Sequence, residues 1–440
     1  MEINKMFKDS RACKANRISL AIVILSTITF GSVAHAAAAL KAYNADPSKS
    51  TVSGLSAGGF MANQLGYAYS ATFKGVGVFA GGPYQCAAHN NYTACMYNAS
   101  ISSSQLSTMQ TDINNWSGNQ IDNKSNVANQ KIFMFVGSSD TTVGPNPMNA
   151  MQTQYTNNGA TSSNLRYVNQ SSPSTAHTFP TDFDSTGNNS CSSAASPYIS
   201  NCSFDGAKAA LSQFYGTLNA RNNSPDYTNN LIAFDQSAFT SNAGMDTTGY
   251  VYVPSNCQSG AACKVHVALH GCLQSYSQIS DKFLKNTGYT RWADTNSIIV
   301  LFPQTKVDNT SHSTNSGSLS NPNACWDWIG WYGSNFGQKA GPQMSAIKAM
   351  VDKITSGYTG STTTTTAAGG TTTTTTTTTT QAHAYDQTAT DTVTNHYVAG
   401  RINATQYNTL GARYGYNTVI TLYHCPSLNG WTDHSNCSAI

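Results

Sequence analysis

Glutamate is almost absent. The 440-residue chain contains one, Glu2. Any catalytic carboxylate beyond the first residues is therefore an aspartate, which excludes glutamate-based zinc peptidases and Glu–Glu glycosidases. Charge is scarce as well, at 10% of residues. No Cys-x-x-Cys pair occurs, which weakens a metal reading of the cysteines, and no other metal or cofactor motif is found. Past residue 36 no apolar run is long enough to span a bilayer, so no membrane partner is expected.

What the N-terminus does have is a basic segment (Lys5, Lys8, Arg11, Lys14, Arg17), an apolar run from Ile18 to Phe30, and the sequence Ala34-His35-Ala36. These are the three parts of a secretory signal peptide with its cleavage site. Residues 1–36 are expected to be removed, leaving a secreted, extracellular chain from Ala37. The formal charge of +3 belongs to this leader, because 18 basic residues and 18 aspartates remain without it. A neutral chain has no electrostatic footprint for nucleic acid. Nothing in the sequence calls for an oligomer, and a monomer is expected.

Of the 11 cysteines, Cys13 lies in the leader, and the even number left suits disulfides in a secreted protein. Proximity in sequence suggests Cys86–Cys95, Cys191–Cys202, Cys257–Cys263 and Cys425–Cys437, which leaves Cys272 with Cys325; spacing alone does not fix the connectivity. Residues 37–358 have the mixed composition of one large domain. Residues 359–383 are dominated by threonine with an Ala-Ala-Gly-Gly interruption, a linker that cannot bury a core. Residues 384–440 regain Tyr, Val, Leu and Trp and read as a small module held by its own disulfide. Asn91-Tyr92-Thr93 and Asn115-Trp116-Ser117 are formal glycosylation acceptors.

The large domain is organised around Gly54-Leu55-Ser56-Ala57-Gly58-Gly59. Gly-x-Ser-x-Gly between a strand (Thr51, Val52) and a helix (Phe60 to Leu65) is the nucleophile-elbow pattern. A glycine-serine loop is the bland alternative, so the rest of the chain must supply a base, an acid and an oxyanion hole. Short apolar strands recur at 76–83, 131–137, 165–168, 250–253, 265–269 and 297–303. Alternating with helices, they indicate an α/β domain with a mostly parallel sheet. Asp140 follows the strand at 131–137, and His177 follows the next one. Active-site residues gather at the carboxyl ends of such strands. The order Ser56, Asp140, His177 is that of α/β-hydrolases. We read Ser56 as nucleophile, His177 as general base and then acid, and Asp140 as the carboxylate that orients it. A loop-capping aspartate and a surface histidine are the alternatives. Asp182 and Asp184 are rival acids, but they follow the histidine.

His270-Gly271-Cys272 resembles an esterase oxyanion loop. The backbone N–H groups of Cys272 and Ala57 are the candidate oxyanion hole, and His270 is read as structural. This loop normally precedes the nucleophile, whereas here it follows by more than 200 residues. Joining the amphipathic helix at 343–357 to the strand before Ser56 restores the order, so a circular permutation is inferred.

Several stretches carry a family resemblance. They are the elbow, Val78 to Tyr84, Gly137-Ser138-Ser139-Asp140 with Thr141 to Pro145, His177 to Phe183, Leu269 to Ser275, and Cys325-Trp326-Asp327-Trp328. Together they resemble the circularly permuted extracellular polyhydroxybutyrate depolymerases over residues 45–356. The resemblance implies a permuted α/β-hydrolase fold, the triad Ser56, Asp140 and His177, oxyanion donors at Ala57 and Cys272, and an insoluble polyester as substrate. The module containing Asn395 to Arg401 is similar to the family's polymer-binding domain. Trp326, Trp328, Trp331 and Tyr84 are candidates for an apolar substrate wall, with core packing as the bland reading. Two other functions stay open at this point: a carbohydrate esterase, such as a feruloyl or acetyl-xylan esterase, and a binding protein on an inactive hydrolase fold.

Overall fold

The computed structural model describes residues 37–240, 243–360, 387–398, 401–425 and 430–433. The expected signal peptide, nearly all of the threonine tract and Cys437 lie outside the described residues.

Eight strands form the central sheet: β1 (Ala45–Leu55), β2 (Phe73–Phe79), β3 (Lys131–Gly137), β4 (Leu165–Gln170), β5 (Leu231–Asp235), β6 (Thr248–Tyr252), β7 (Cys263–Leu269) and β8 (Ile298–Phe302). Their spatial order is β4-β3-β2-β1-β7-β8-β6-β5. The six from β4 to β8 are parallel, while β6 and β5 add an antiparallel edge. The parallel strands read as unbroken apolar runs because both faces are covered: Ile132 to Val136 and Ile298 to Phe302 are fully buried.

Helix α1 (Ala57–Ala68) follows β1 and is buried along its whole length, which explains its weakly amphipathic sequence. Helix α2 (Pro342–Thr355) closes the large domain, close to the expected 343–357. Its end meets the start of the domain: Tyr43 N–H donates to Ile354 O at 2.8 Å, and Thr359 N–H to Asn44 Oδ1 at 2.8 Å. The last helix thus lies beside the strand that leads to Ser56, as the inferred permutation requires. Among the described residues four disulfides join Cys86–Cys95, Cys191–Cys202, Cys257–Cys263 and Cys272–Cys325.

The described part of the C-terminal module pairs Gln387–Thr392, Val419–Cys425 and Gly430–Thr432 in an antiparallel sheet. Helices Val393–Val398 and Ala404–Tyr414 pack on it. Its core is Val393, Ile402, Leu410 and Leu422. Tyr397 stacks on Tyr407 at 4.7 Å, and Tyr407 meets Tyr416 at a tilt, with ring centroids 4.9 Å apart. The two outer rings stay 42% and 43% exposed.

Candidate active site

β1 ends at Leu55, and Ser56 then takes φ 57° and ψ −124° before α1 begins. A non-glycine residue in that conformation is strained and must be held by its surroundings. The hold is visible on both sides, since Ser56 N–H donates to Phe79 O at the end of β2 and Ser56 O accepts from Phe60 N–H. The glycines are sterically required. A Cβ on Gly54 would lie 2.3 Å from Gly58 O, and one on Gly58 would lie 2.4 Å from His270 O. Ser56 thereby stands half-buried at the carboxyl edge of the sheet, against the loop that follows β7.

Asp140 and His177 come from the loops after β3 and β4. A Cβ on Gly137 would meet Thr175 O at 2.1 Å, so the two loops touch along their backbones. His177 Nδ1 lies 2.8 Å from Asp140 Oδ2. The other carboxylate oxygen accepts the N–H groups of Thr142 and Val143 at 2.8 and 2.9 Å. Both side chains are buried. Burial raises the Asp140 pKa, but attraction to His177 and the hydrogen bonds from His177, Val143 and Thr142 outweigh it, so the carboxyl lies below its ordinary value. An ionised carboxylate on Nδ1 orients the ring and leaves Nε2 as the nitrogen available to accept a proton. The rival acids are elsewhere: Asp182 pairs with Arg221, and Asp184 accepts from Asn201.

Ser56, His177 and Cys272 line a cavity of about 210 Å³ together with Tyr198 and Gln274. A second cavity of about 440 Å³ adjoins it, sharing Ser56, Met96, Cys272 and Asn323. The second is walled by Ala57, Phe60, Tyr92, Leu319, Trp328 and Trp331. Ala57 is the first residue of α1, one of the N–H groups that a helix leaves without an internal acceptor. Among the described residues no acceptor takes the Cys272 N–H. Both candidate oxyanion donors are therefore free beside Ser56.

The aromatic candidates divide. Trp328 stacks on Phe60 at 4.1 Å, and with Trp331 it faces the larger cavity. Trp326 and Tyr84 do not belong to the wall, which corrects the expectation. Trp326 is fully buried beside His270 at 5.4 Å. Tyr84 is buried against Tyr67, with its hydroxyl donating to Gly337 O at 2.7 Å. In both, core packing wins, because the indole and phenol bury large apolar area where no cleft opens. His270, read as structural, is fully buried and burial lowers its pKa to about 4, so it stays neutral.

Three contributors escaped the sequence reading. Asp327, 2% exposed, accepts the N–H groups of Gly330, Trp331 and Tyr332 at 2.7, 3.0 and 2.9 Å. It folds the turn that carries Trp328 and Trp331; its place between tryptophans in Trp326-Asp327-Trp328 was the available signal. Leu319 reaches the cleft from the hairpin formed by Asp308–Thr314 and Gly317–Asn321, and no local pattern marks it. Gln274, in an irregular turn, accepts the Gly271 N–H at 2.6 Å.

No family model matches the chain. Curated and solved relatives do. A polyhydroxybutyrate depolymerase of Talaromyces funiculosus is 53% identical over 336 residues, 76% of this chain and 97% of the relative. The chain belongs to the polyhydroxybutyrate depolymerases. A poly(3-hydroxybutyrate) depolymerase of Delftia acidovorans is 46% identical over 76% of this chain, which spans 64% of that relative's length. A poly(3-hydroxyalkanoate) depolymerase C of Paucimonas lemoignei is 75% identical over 56 residues, 13% of this chain and 14% of that one. Among solved structures, PHB depolymerase from Penicillium funiculosum aligns with a TM-score of 0.69 at 54% identity, covering 73% of this chain and 99% of that one. A serine-to-alanine variant of a PHB depolymerase complexed with an R3HB trimer aligns with the same score at 53% identity, over the same shares. The similarity covers fold and family together, and the permuted α/β-hydrolase architecture is shared.

Proposed function

We propose that the chain is a secreted serine esterase that hydrolyses insoluble poly(3-hydroxybutyrate) through an acyl-enzyme, working without a cofactor. The observation that carries the mechanism is His177, paired with the buried Asp140, lining one cavity with Ser56. Ser56 Oγ attacks the ester carbonyl carbon while His177 Nε2 takes its proton. The carbonyl oxygen becomes an oxyanion held by the Ala57 and Cys272 N–H groups, each worth about 3 kcal/mol in the transition state. Collapse expels the alcohol end of the chain, which takes the proton back from His177. Water then repeats the sequence on the acyl-enzyme and releases the acid end. Asp140 stays ionised and stabilises the imidazolium.

The substrate assignment rests on the reported relatives, which are named as polyhydroxybutyrate or poly(3-hydroxyalkanoate) depolymerases, and this sets aside the carbohydrate-esterase reading. The cleft suits it: Phe60, Tyr92, Trp328, Trp331 and Leu319 offer apolar walls to a polymer of methyl groups and ester carbonyls without charge. Secretion is supported by the leader composition, and no helix among the described residues is long and apolar enough to cross a membrane.

The test is Ser56→Ala, His177→Ala and the double variant on a p-nitrophenyl ester and on a polymer suspension. Each single change is expected to lower turnover by roughly three or more orders of magnitude, and the double change by little more, because triad members act as a unit. Near-normal turnover by purified Ser56→Ala would refute the assignment. A damaging Asp182→Asn with an innocuous Asp140→Asn would move the acid.

A further inference from the structure

The residue between His270 and Cys272 is held at both of its backbone polar groups by buried side chains. Gly271 N–H donates to Gln274 Oε1 at 2.6 Å, and Gly271 O lies 2.7 Å from His270 Nδ1. The histidine tautomer follows from its other nitrogen. Thr305 N–H points at Nε2 at 3.3 Å, and a backbone N–H can only donate. Nε2 is therefore the acceptor, and Nδ1 carries the proton that Gly271 O receives. The glutamine is oriented as well, since its Nε2 donates to Pro197 O at 2.8 Å and Tyr198 O at 3.2 Å. Reversing the amide would set donor against donor at Gly271 and acceptor against acceptor at Pro197.

The peptide unit between Gly271 and Cys272 is planar and trans, so its oxygen and its N–H lie on opposite edges. Fixing the oxygen on His270 aims the Cys272 N–H the other way. The neighbourhood places this at the chemistry: a Cβ on Gly271 would lie 3.3 Å from Ser56 Cβ. A flipped peptide would instead present a carbonyl oxygen to the developing negative charge. Flipping is a real hazard in a turn where Leu273 already holds a positive φ of 62°.

We propose that His270 and Gln274 are positioning residues that lock the Gly271–Cys272 peptide with its N–H toward the substrate carbonyl oxygen. The pair acts through the backbone: the side-chain hydrogen bonds of Gln274 and His270 go to Gly271, Pro197, Tyr198 and Thr305, and none goes to Ser56. Gln274 also ties this loop to the segment after the cis Ser196–Pro197 bond, whose Tyr198 ring meets His177 edge-on at 6.4 Å. The oxyanion loop and the base loop thus share one anchor, although about 80 residues separate them. This proposal rests on the serine-esterase reading above.

The experiment uses the full chain with a soluble p-nitrophenyl ester and an aryl trifluoromethyl ketone. Ser56 Oγ adds to the ketone carbon, its proton passes to His177, and the ketone oxygen becomes an oxyanion, so ketone affinity reports the oxyanion site without turnover. Gln274→Met keeps the length of the side chain and removes its hydrogen bonds. Its kcat is expected to fall roughly 10- to 100-fold with KM within about twofold, less than or comparable to losing one donor outright. Ketone affinity should fall by a similar factor, and the pKa of the kcat/KM profile should not move. His270→Phe should behave alike, and His270→Asn, whose amide nitrogen takes the place of Nδ1, should recover most of kcat. A Gln274→Met enzyme with unchanged kcat, or with reduced kcat and undiminished ketone affinity, overturns the proposal. Should that variant not fold, the two His270 variants decide: equal loss in both overturns it. Turnover surviving in Ser56→Ala would instead remove the reading beneath it.

Discussion

Gly58 on α1 and His270 after β7 meet with no room for a methyl group: a Cβ on Gly58 would stand 2.4 Å from His270 O and 2.5 Å from Leu269 O. Two segments more than 200 residues apart in sequence are thereby fixed to one another at the site. β1 and β7 are paired in register up to Gly54 and Leu269, so the sheet delivers both segments to the same edge.

Gly58→Ala should therefore damage catalysis beyond its effect on stability. The contact atoms are backbone, so the oxyanion loop must shift, and displacements of about 1 Å can cost about 100-fold. Gly66→Ala on the same helix is the control, because its added Cβ meets first a Val76 methyl group at 2.8 Å. It should lower the melting temperature and leave kcat of the folded enzyme intact. Equal kcat for both variants would show that the close approach carries no catalytic weight.

The Cys272–Cys325 bridge spans 53 residues and joins the loop after β7, which carries the proposed oxyanion donor, to the turn bearing Trp328 and Trp331. Loop-closure entropy gives such a bridge about 4 kcal/mol of stability. Replacing both cysteines with serine should lower stability by a large part of that amount. It should also reduce kcat on a soluble ester, since the donor at residue 272 loses its covalent anchor and keeps hydrogen-bonded ones alone, among them Leu273 N–H on Asn323 O at 2.8 Å and Gly271 N–H on Gln274 Oε1. Denaturant titration and soluble-ester kinetics check the two halves separately. A less stable enzyme with unaltered kcat would confine the bridge to stability.

Much of this architecture is legible from residues alone because its signals are local. Ser56 sits between a strand and a helix, Asp140 and His177 each follow an apolar run, and strand order then gathers them. The helix at Pro342–Thr355 and its junction with β1 follow from one anomaly, an oxyanion loop on the wrong side of the serine. What local pattern does not reveal is the direction in which a side chain faces outside a regular element. Trp326, Trp328 and Trp331 look alike as a cluster, yet the first is core and the other two face a cavity. Tyr84 fails for the same reason. Asp327 and Gln274 act on backbone groups in irregular turns, and periodicity has no bearing there.

Acid should destabilise the fold between about pH 6 and pH 4. Burial lowers the pKa of His266 to about 3 and that of His270 to about 4, while both titrate near 6.5 when unfolded. Their stabilising effect is complete above 6.5 and is lost as pH falls toward the folded values. Asp327 acts in the opposite sense, because burial raises its carboxyl to about 6 although backbone hydrogen bonds pull it down. It takes up a proton in the fold before it would in the unfolded chain. Two histidines against one aspartate leave one extra proton on the unfolded state, or about 1.4 kcal/mol of stability lost per pH unit. Asp140, held below its usual value, adds to the loss at still lower pH. Urea midpoints at pH 7, 6, 5 and 4 measure it, and a flat or rising series from 6 to 4 would contradict the assignment.

The last prediction concerns the C-terminal module. Hypothesis: residues 384–440 hold the catalytic domain at the polymer surface. Among the described residues of the module the buried core is Val393, Ile402, Leu410 and Leu422, while the Tyr397, Tyr407 and Tyr416 rings meet in a row with the outer two more than two-fifths exposed. Val398 and Val419 are 78% and 61% exposed. The neighbouring charges are paired, Arg401 with Asp391 and Arg413 with Asp433. A neutral polyester would remove that apolar area from water at about 25 cal/mol per Å². A tether raises the local concentration of the catalytic domain without adding a contact at Ser56. A chain ending at Gly357 should therefore turn over a soluble monomeric ester at an unchanged rate, while adsorbing poorly to polymer granules and degrading them slowly. Tyr397→Ala with Tyr416→Ala in the full chain should reproduce the adsorption defect, and Tyr→Phe changes at the same two positions should not. Equal adsorption by the truncated and full-length chains would sink the tether. A truncated chain that fails to adsorb, beside tyrosine variants that adsorb normally, would keep the tether and move its contact to another face of the module.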